Sequence, residues 1–169
     1  MPLRQWWGDV NMGKIILITL IAVVVIVIFY FGLGSRGEGY TILNDFDGEM
    51  NFYKSQSCGC CSVYEGYLRS KGDLSFKTNN AEDITSIKNK YGIPNELQSC
   101  HTFVIGDYFV EGHIPLEAIE KLMREKPDIA GIAMPGMPSG SPGMPGTKKG
   151  DFVIYAVNKD GSSKEFMRI

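Results

Sequence analysis

Met50-Asn51-Phe52-Tyr53-Lys54-Ser55-Gln56-Ser57-Cys58-Gly59-Cys60-Cys61-Ser62-Val63-Tyr64 changes its period halfway along. Met50 to Lys54 alternates side by side and predicts a strand, whereas Val63, Tyr64, Tyr67 and Leu68 recur at helical spacing. Three cysteines occupy the junction. Cys58 and Cys61 form a C-x-x-C pair, the spacing that puts two thiols on one helical turn. A helix N-terminus carries partial positive charge and free N–H groups, which favour thiolate over thiol. Thiolate is both the nucleophile and the metal ligand.

Downstream, Leu74 to Thr78 reads as a second strand and Glu82 to Tyr91 as a helix ending before Gly92. Thr102 to Ile105 and Tyr108 to Glu111 flank Gly106-Asp107, a pair suited to a two-residue II′ hairpin. Pro115 opens a helix through Lys126, with Leu116, Ile119, Leu122 and Met123 on one face and Pro127 as its stop. A last hairpin joins Phe152–Val157 to Ser163–Arg168. The order strand, helix, strand, helix, hairpin, helix is that of a thioredoxin core. The expected fold class is therefore α/β, a thioredoxin-like mixed sheet with flanking helices, over residues 50–169.

Upstream, Ile15 to Leu33 holds 19 consecutive uncharged residues. At about 1.5 Å per residue this is roughly 28 Å of helix, close to the thickness of a bilayer's hydrocarbon core. The run ends in Phe29-Tyr30-Phe31-Gly32-Leu33, without the small-residue pattern of a signal-peptide cleavage site. It is read as an uncleaved transmembrane anchor. Arg4 and Lys14 precede it, while Arg36 is followed by Glu38. The positive-inside rule then leaves a short cytoplasmic N-terminus at 1–14 and puts a linker at 34–49 and the domain at 50–169 outside the cell membrane.

The chain has 169 residues, of which 44% are hydrophobic and 21% charged, with net charge -2. That balance excludes disorder of the whole and a large nucleic-acid footprint, which needs a basic patch. A mean hydropathy of -0.06 averages the greasy run with a polar remainder.

All four cysteines and both histidines fall in the domain expected outside. A second cluster is Ser99-Cys100-His101-Thr102 with Glu111-Gly112-His113. If Gly106-Asp107 is the turn, opposing positions sum to 213, so Cys100 faces His113 across the hairpin. His101, the next residue, points to the other face if the extension holds there, and is the second choice as a ligand. In a thioredoxin fold this hairpin passes near the start of the first helix and brings Cys100 towards Cys58–Cys61.

Between Gly131 and Gly146 lies GIAMPGMPSGSPGMPG, long for a loop in a compact domain. Its Met134, Met137 and Met144 have no place in a plain linker; Met137 and Met144 join the candidate ligands. Thiolates with thioethers and imidazole select Cu(I), including multinuclear thiolate-bridged Cu(I), whereas Met is not a usual zinc ligand. A zinc site of Cys and His, a structural disulfide such as Cys58–Cys100, and simple packing of the methionines remain the plainer readings.

Taken together, Cys58-Gly59-Cys60-Cys61, Gly92-Ile93-Pro94 leading to Ser99-Cys100-His101-Thr102, Glu111-Gly112-His113-Ile114-Pro115, and the runs Met134 to Pro138 and Gly140 to Met144 resemble the CopG-like copper-linked proteins, long a domain of unknown function. The resemblance spans roughly Asn51 to Met144. It implies a thioredoxin-like fold, export, and a role in copper resistance or homeostasis. It also implies copper binding at Cys58, Cys60, Cys61 and Cys100, with interconversion of Cu(I) and Cu(II) and with His113, His101 and the loop methionines as accessory groups. A copper efflux or electron-transfer partner is the expected company. Two features depart from the family: the anchor replaces a signal peptide, and Val63-Tyr64 stands where a basic residue and Trp are common.

Two other functions stay open at this point. One is an exported thiol–disulfide oxidoreductase with Cys58 as nucleophile and Cys61 as resolving thiol. The other is a copper chaperone or buffer without turnover.

Overall fold

The computed structural model describes residues 12–33 and 39–169. Arg4, Arg36, Glu38 and the side chain of Lys14, on which the expected orientation rests, lie outside the described residues. Contacts divide the chain into two units, 1–39 and 40–169.

In the first unit, α1 (Met12–Leu33) is a single helix of 22 residues. Its side chains from Ile15 to Ile26 are exposed. Among the described residues no helix is long and apolar enough to cross a membrane. The side chains of 27–33, which complete the uncharged run, are not among them.

The second unit begins earlier than the sequence suggests. A short helix, α2 (Thr41–Asn44), buries Leu43, and the backbone N–H groups of Ile42 and Leu43 donate to the Glu120 carboxylate at 3.2 and 3.1 Å. Ten residues read as linker thus belong to the folded unit.

The remaining elements are β1 (Met50–Ser55), α3 (Gly59–Gly72), β2 (Lys77–Ala81), α4 (Thr85–Lys90), β3 (His101–Ile105), β4 (Tyr108–Glu111), α5 (Leu116–Glu125), β5 (Gly131–Ala133), β6 (Val153–Val157) and β7 (Ser163–Arg168). The strands form one mixed sheet ordered β2-β1-β3-β4-β5-β6-β7. β1 runs parallel to β2 and antiparallel to β3, and β4 is antiparallel to β3. The α/β class and the mixed sheet with flanking helices are as expected.

Two boundaries differ from the sequence reading. β2 starts at Lys77, three residues after the expected Leu74. Leu74 and Phe76 are buried, but they precede the ladder; the edge strand itself is the polar Lys77-Thr78-Asn79-Asn80-Ala81. Polar edge strands resist pairing with other chains, and hydrophobic pattern does not mark them. α4 spans only Thr85–Lys90; ahead of it Asp83 accepts from the Thr85 N–H at 2.8 Å, in a turn that precedes the helix.

The hairpin follows the expected register: Ile105 pairs with Tyr108, Phe103 with Val110 and Thr102 with Glu111. Gly106 has φ +56° and Asp107 is not left-handed, so the turn has the sign of type II′. In α5, Leu116, Ile119, Leu122 and Met123 are all buried against the sheet. Each contributes roughly 1.5–3 kcal/mol to folding. The main core lies on this face with Phe52, Tyr64, Leu68, Phe103 and Ile105; a smaller cluster on the opposite face holds Ile93, Leu97, Phe109, Ala133 and Val157.

Candidate metal centre

β1 ends at Ser55, and the chain turns over Gln56-Ser57 to enter α3 at Cys58, whose N–H donates to the Ser55 carbonyl at 3.1 Å. Cys58 is the N-cap, and its sulfur accepts from the Cys61 N–H at 3.3 Å. The C-x-x-C pair therefore sits at the helix N-terminus, as the period change implies. Cys58 and Cys61 are joined by a disulfide with Cα atoms 5.4 Å apart, while Cys60 and Cys100 are free thiols.

Cys60 Sγ lies 3.5 Å from Cys58 Sγ and 3.8 Å from Cys100 Sγ, and Cys61 Sγ is 3.5 Å from the Cys100 carbonyl oxygen. The four sulfurs all fall within 4.8 Å of one another. A second group joins Cys100 to both imidazoles: its sulfur is 3.3 Å from His113 Nε2 and 3.4 Å from His101 Nδ1. Both histidines are fully buried.

His101 does not point to the other face. The extended ladder stops at His101, so Cys100 lies outside β3 and its side chain is free to turn back beside His101. His101 shares a face with Phe103 and packs its ring 4.9 Å from Phe52 and 4.6 Å from Tyr64. The two imidazoles meet edge to face at 4.9 Å.

The Gly/Pro/Met loop holds the centre in a way its methionines do not suggest. Met134 is core, Met137 is 41% exposed, and Met144 is half-buried. Among the described contacts neither Met137 nor Met144 meets the thiols. The loop's contribution is a backbone carbonyl: Pro142 O accepts from His113 Nδ1 at 2.7 Å. A carbonyl only accepts, so Nδ1 carries the proton and the lone pair of Nε2 faces Cys100. Gly143 makes this approach feasible, because a Cβ there would stand 2.8 Å from the Tyr64 nitrogen.

The chain as a whole is similar to known structures. Two solved structures, both named copper resistance protein CopG (form 1 and form 2), align with TM-scores of 0.65 and 0.63 at 34% and 35% identity. The alignments cover 72% of this chain and 96% and 97% of theirs. The chain belongs to the CopG-like family. A family model described as a protein of unknown function, DUF411, matches residues 97–144, the part of this CopG-like chain that carries Cys100, both histidines and the loop. No curated protein sequence matches the chain.

Within this CopG-like centre the electrostatics favour neutral groups. Burial, and then the neighbouring Cys60 sulfur, pushes the Cys100 thiol up to about 12, so it keeps its proton at neutral pH. Burial holds His101 well below its ordinary value, with His113 and Lys88 adding to the effect, and burial lowers His113 too. An ion bound here must displace the Cys100 proton.

Three further groups support the centre in roles that the sequence does not assign to them. Glu111, fully buried on β4, pairs with the Lys88 ammonium and accepts from the Ser99 N–H at 2.5 Å and the Thr102 hydroxyl at 2.6 Å. It thereby fixes the residue just before Cys100. The Tyr64 hydroxyl donates to the Ile114 carbonyl at 2.7 Å, holding the ring against both histidines. Lys54, on β1, donates to Ser62 Oγ at 2.9 Å beside the C-x-x-C turn.

Proposed function

We propose that this chain is a membrane-anchored, extracytoplasmic copper-binding protein. In this reading Cys58, Cys60, Cys61 and Cys100 hold Cu(I), with His113 and then His101 completing the donor set around Cys100. One observation carries the reading: four cysteine sulfurs lie within 4.8 Å of one another and Cys100 links them to two buried imidazoles, where a plain dithiol switch needs only two sulfurs. The donors are soft, as Cu(I) prefers, and the solved relatives carry copper resistance in their names. With four sulfurs available, thiolate bridges hold more than one Cu(I), and Met137 or Met144 serves as an outer thioether donor.

Redox cycling follows from the same sulfurs. Forming the Cys58–Cys61 disulfide from two thiolates releases two electrons, which reduce two Cu(II) to two Cu(I). The reverse step oxidises two Cu(I) while the disulfide opens to two thiolates. The anchor rests on the uncharged run 15–33 and on the exposed apolar side chains from Ile15 to Ile26, a surface that calls for a lipid environment. It keeps the domain at the outer face of the membrane, in reach of an efflux or electron-transfer partner.

The Cys58–Cys61 disulfide at a helix N-terminus also supports a second reading, an exported thiol–disulfide oxidoreductase with Cys58 as nucleophile. Anaerobic Cu(I) titration of the reduced full chain in detergent micelles, beside Cys60→Ser, separates the two. The copper reading expects at least one tightly held Cu(I) and a clear loss on Cys60→Ser. Less than one Cu(I) per chain with brisk insulin reduction sinks it in favour of disulfide exchange. Unchanged binding in Cys60→Ser removes the three-thiol site, and preferred binding of Zn(II) reassigns the metal.

A further inference from the structure

Two lysines are buried in this domain, and the fold treats them differently. Lys88, 4% exposed, has the Glu111 carboxylate against it. Lys54, 7% exposed, has no carboxylate: none of the ion pairs among the described residues includes it. Its Nζ donates to the Ser62 hydroxyl at 2.9 Å, and that hydroxyl lies 3.4 Å from the Cys58 carbonyl oxygen, which it faces as donor. Lys54 shares the face of β1 with Phe52, whose ring packs on His101, and it stands opposite His101 in the ladder.

Taking an ammonium out of water costs free energy that a nearby counter-charge offsets. Its position raises that cost, because the first turn of a helix is already electropositive. Two positive fields, the ammonium and the end of α3, therefore converge on the Cys58–Cys61 turn. In the structure those two sulfurs form a neutral disulfide. Once reduced, they become the anions that this corner of the molecule lacks.

We propose that Lys54 is a charge-positioning residue, the built-in counter-ion for the charge that the Cys58–Cys61 pair takes up when its disulfide opens. Its ammonium favours the open dithiol over the disulfide and strengthens the negative thiolate set towards Cu(I). The chemical step is ordinary exchange. A thiolate of an external dithiol attacks one sulfur of the Cys58–Cys61 bond, a mixed disulfide forms, and the second external thiol closes on it. Two electrons pass to Cys58 and Cys61, and the external dithiol leaves as a cyclic disulfide. Lys54 acts on the balance of this reaction through the charge of the released thiolates. The part concerning Cu(I) rests on the copper reading; the part concerning the disulfide does not.

The test equilibrates the full chain in detergent micelles with mixtures of reduced and oxidised dithiothreitol and counts free thiols by alkylation. Cu(I) affinity is measured in parallel by anaerobic competition. Lys54→Met is expected to shift the couple about tenfold towards disulfide, the order of effect of removing one nearby charge in a medium of effective dielectric about 20. For a two-electron couple that is a potential about 30 mV lower. Lys54→Arg and Ser62→Ala, which keep the charge, are expected to stay within about threefold of wild type.

Cu(I) affinity in Lys54→Met falls in the same direction. Should that variant fail to fold by far-UV circular dichroism, Lys54→Gln carries the same test. A folded neutral variant with an unchanged couple overturns the proposal, and so does a Lys54→Arg shift as large as that of Lys54→Met. If the wild type binds no Cu(I) but the neutral variant still moves the couple, the copper reading falls and the role of Lys54 stands.

Discussion

Replacing Gly143 with alanine tests whether the loop's grip on His113 matters to the centre. Gly143 has φ +79°, and an alanine Cβ there meets the Tyr64 nitrogen at 2.8 Å, its Cα at 2.9 Å and its Cβ at 3.0 Å. Two of these atoms are helix backbone and cannot swing away, so the loop must. Opening 2.8 Å to an ordinary 3.4 Å contact requires a displacement of about 0.6 Å. Taken along the neighbouring His113–Pro142 bond, it stretches 2.7 Å to about 3.3 Å, past the normal range for N–H···O. The left-handed backbone adds about 1–2 kcal/mol of strain for a residue with a Cβ. His113 then loses the acceptor that fixes its proton on Nδ1. Outer partners of metal-binding histidines are typically worth 10–100-fold in metal affinity, so Gly143→Ala should weaken Cu(I) binding by about that factor. Anaerobic competition with a chromophoric Cu(I) ligand measures the affinity, and ¹⁵N shifts of the imidazole report the tautomer. Gly150→Ala, where a Cβ meets nothing within 4 Å, is the control and should leave both unchanged. If Gly143→Ala keeps the wild-type affinity with the proton still on Nδ1, the loop does not hold His113 in the way described.

The buried Lys88–Glu111 pair predicts strong coupling in stability. Lys88→Met or Glu111→Gln alone should cost about 3–5 kcal/mol in urea unfolding by leaving a buried charge unpaired, whereas the double variant should recover much of that loss; additive losses would refute the pairing. The buried histidines set an acid limit for the copper-free chain. His101 and His113 have lowered folded values, so their contribution is present above the unfolded value near 6.5 and is lost as pH falls below it. Unfolding free energy should drop by about 1.4 kcal/mol per pH unit for each histidine still held neutral, and a flat profile between pH 7.5 and 5.5 contradicts their burial as neutral rings.

Which parts of this molecule sequence reasoning reached depends on what each part is made of. α5 was legible because its packing face is written in Leu116, Ile119, Leu122 and Met123, and the β3–β4 register because Gly106-Asp107 admits one tight turn. α4 was harder: the side chain it buries most is Lys88, and a count of apolar residues cannot see an inward lysine that meets a carboxylate from β4. The orientation of His101 turns on where the strand begins, because alternation holds only within it, and the ladder begins at His101, one residue after Cys100. The loop's hold on His113 is not legible, because a backbone carbonyl makes it. Met137 and Met144 draw the eye as soft atoms, but the atom on His113 is the oxygen of Pro142, which every residue type carries.

Cys60 is the residue that most separates the readings of the centre. For disulfide exchange it is a hazard: its sulfur stands 3.5 Å from Cys58 and 3.8 Å from Cys100, where it competes with Cys61 for any mixed disulfide formed at Cys58. A fold under pressure to exchange disulfides cleanly gains from keeping such a thiol away. For a soft metal the same position is an asset, since the sulfur lies between the helix-borne pair and the hairpin-borne Cys100 and reaches both. The histidines argue in the same direction. An exchange catalyst needs an exposed nucleophile, whereas here two buried imidazoles face Cys100, the thiol whose proton is hardest to remove. Holding a neutral imidazole lone pair against a protonated thiol gives water little access and gives an incoming cation two donors at once. A cation that displaced that proton would meet the Cys100 sulfur and both imidazoles together.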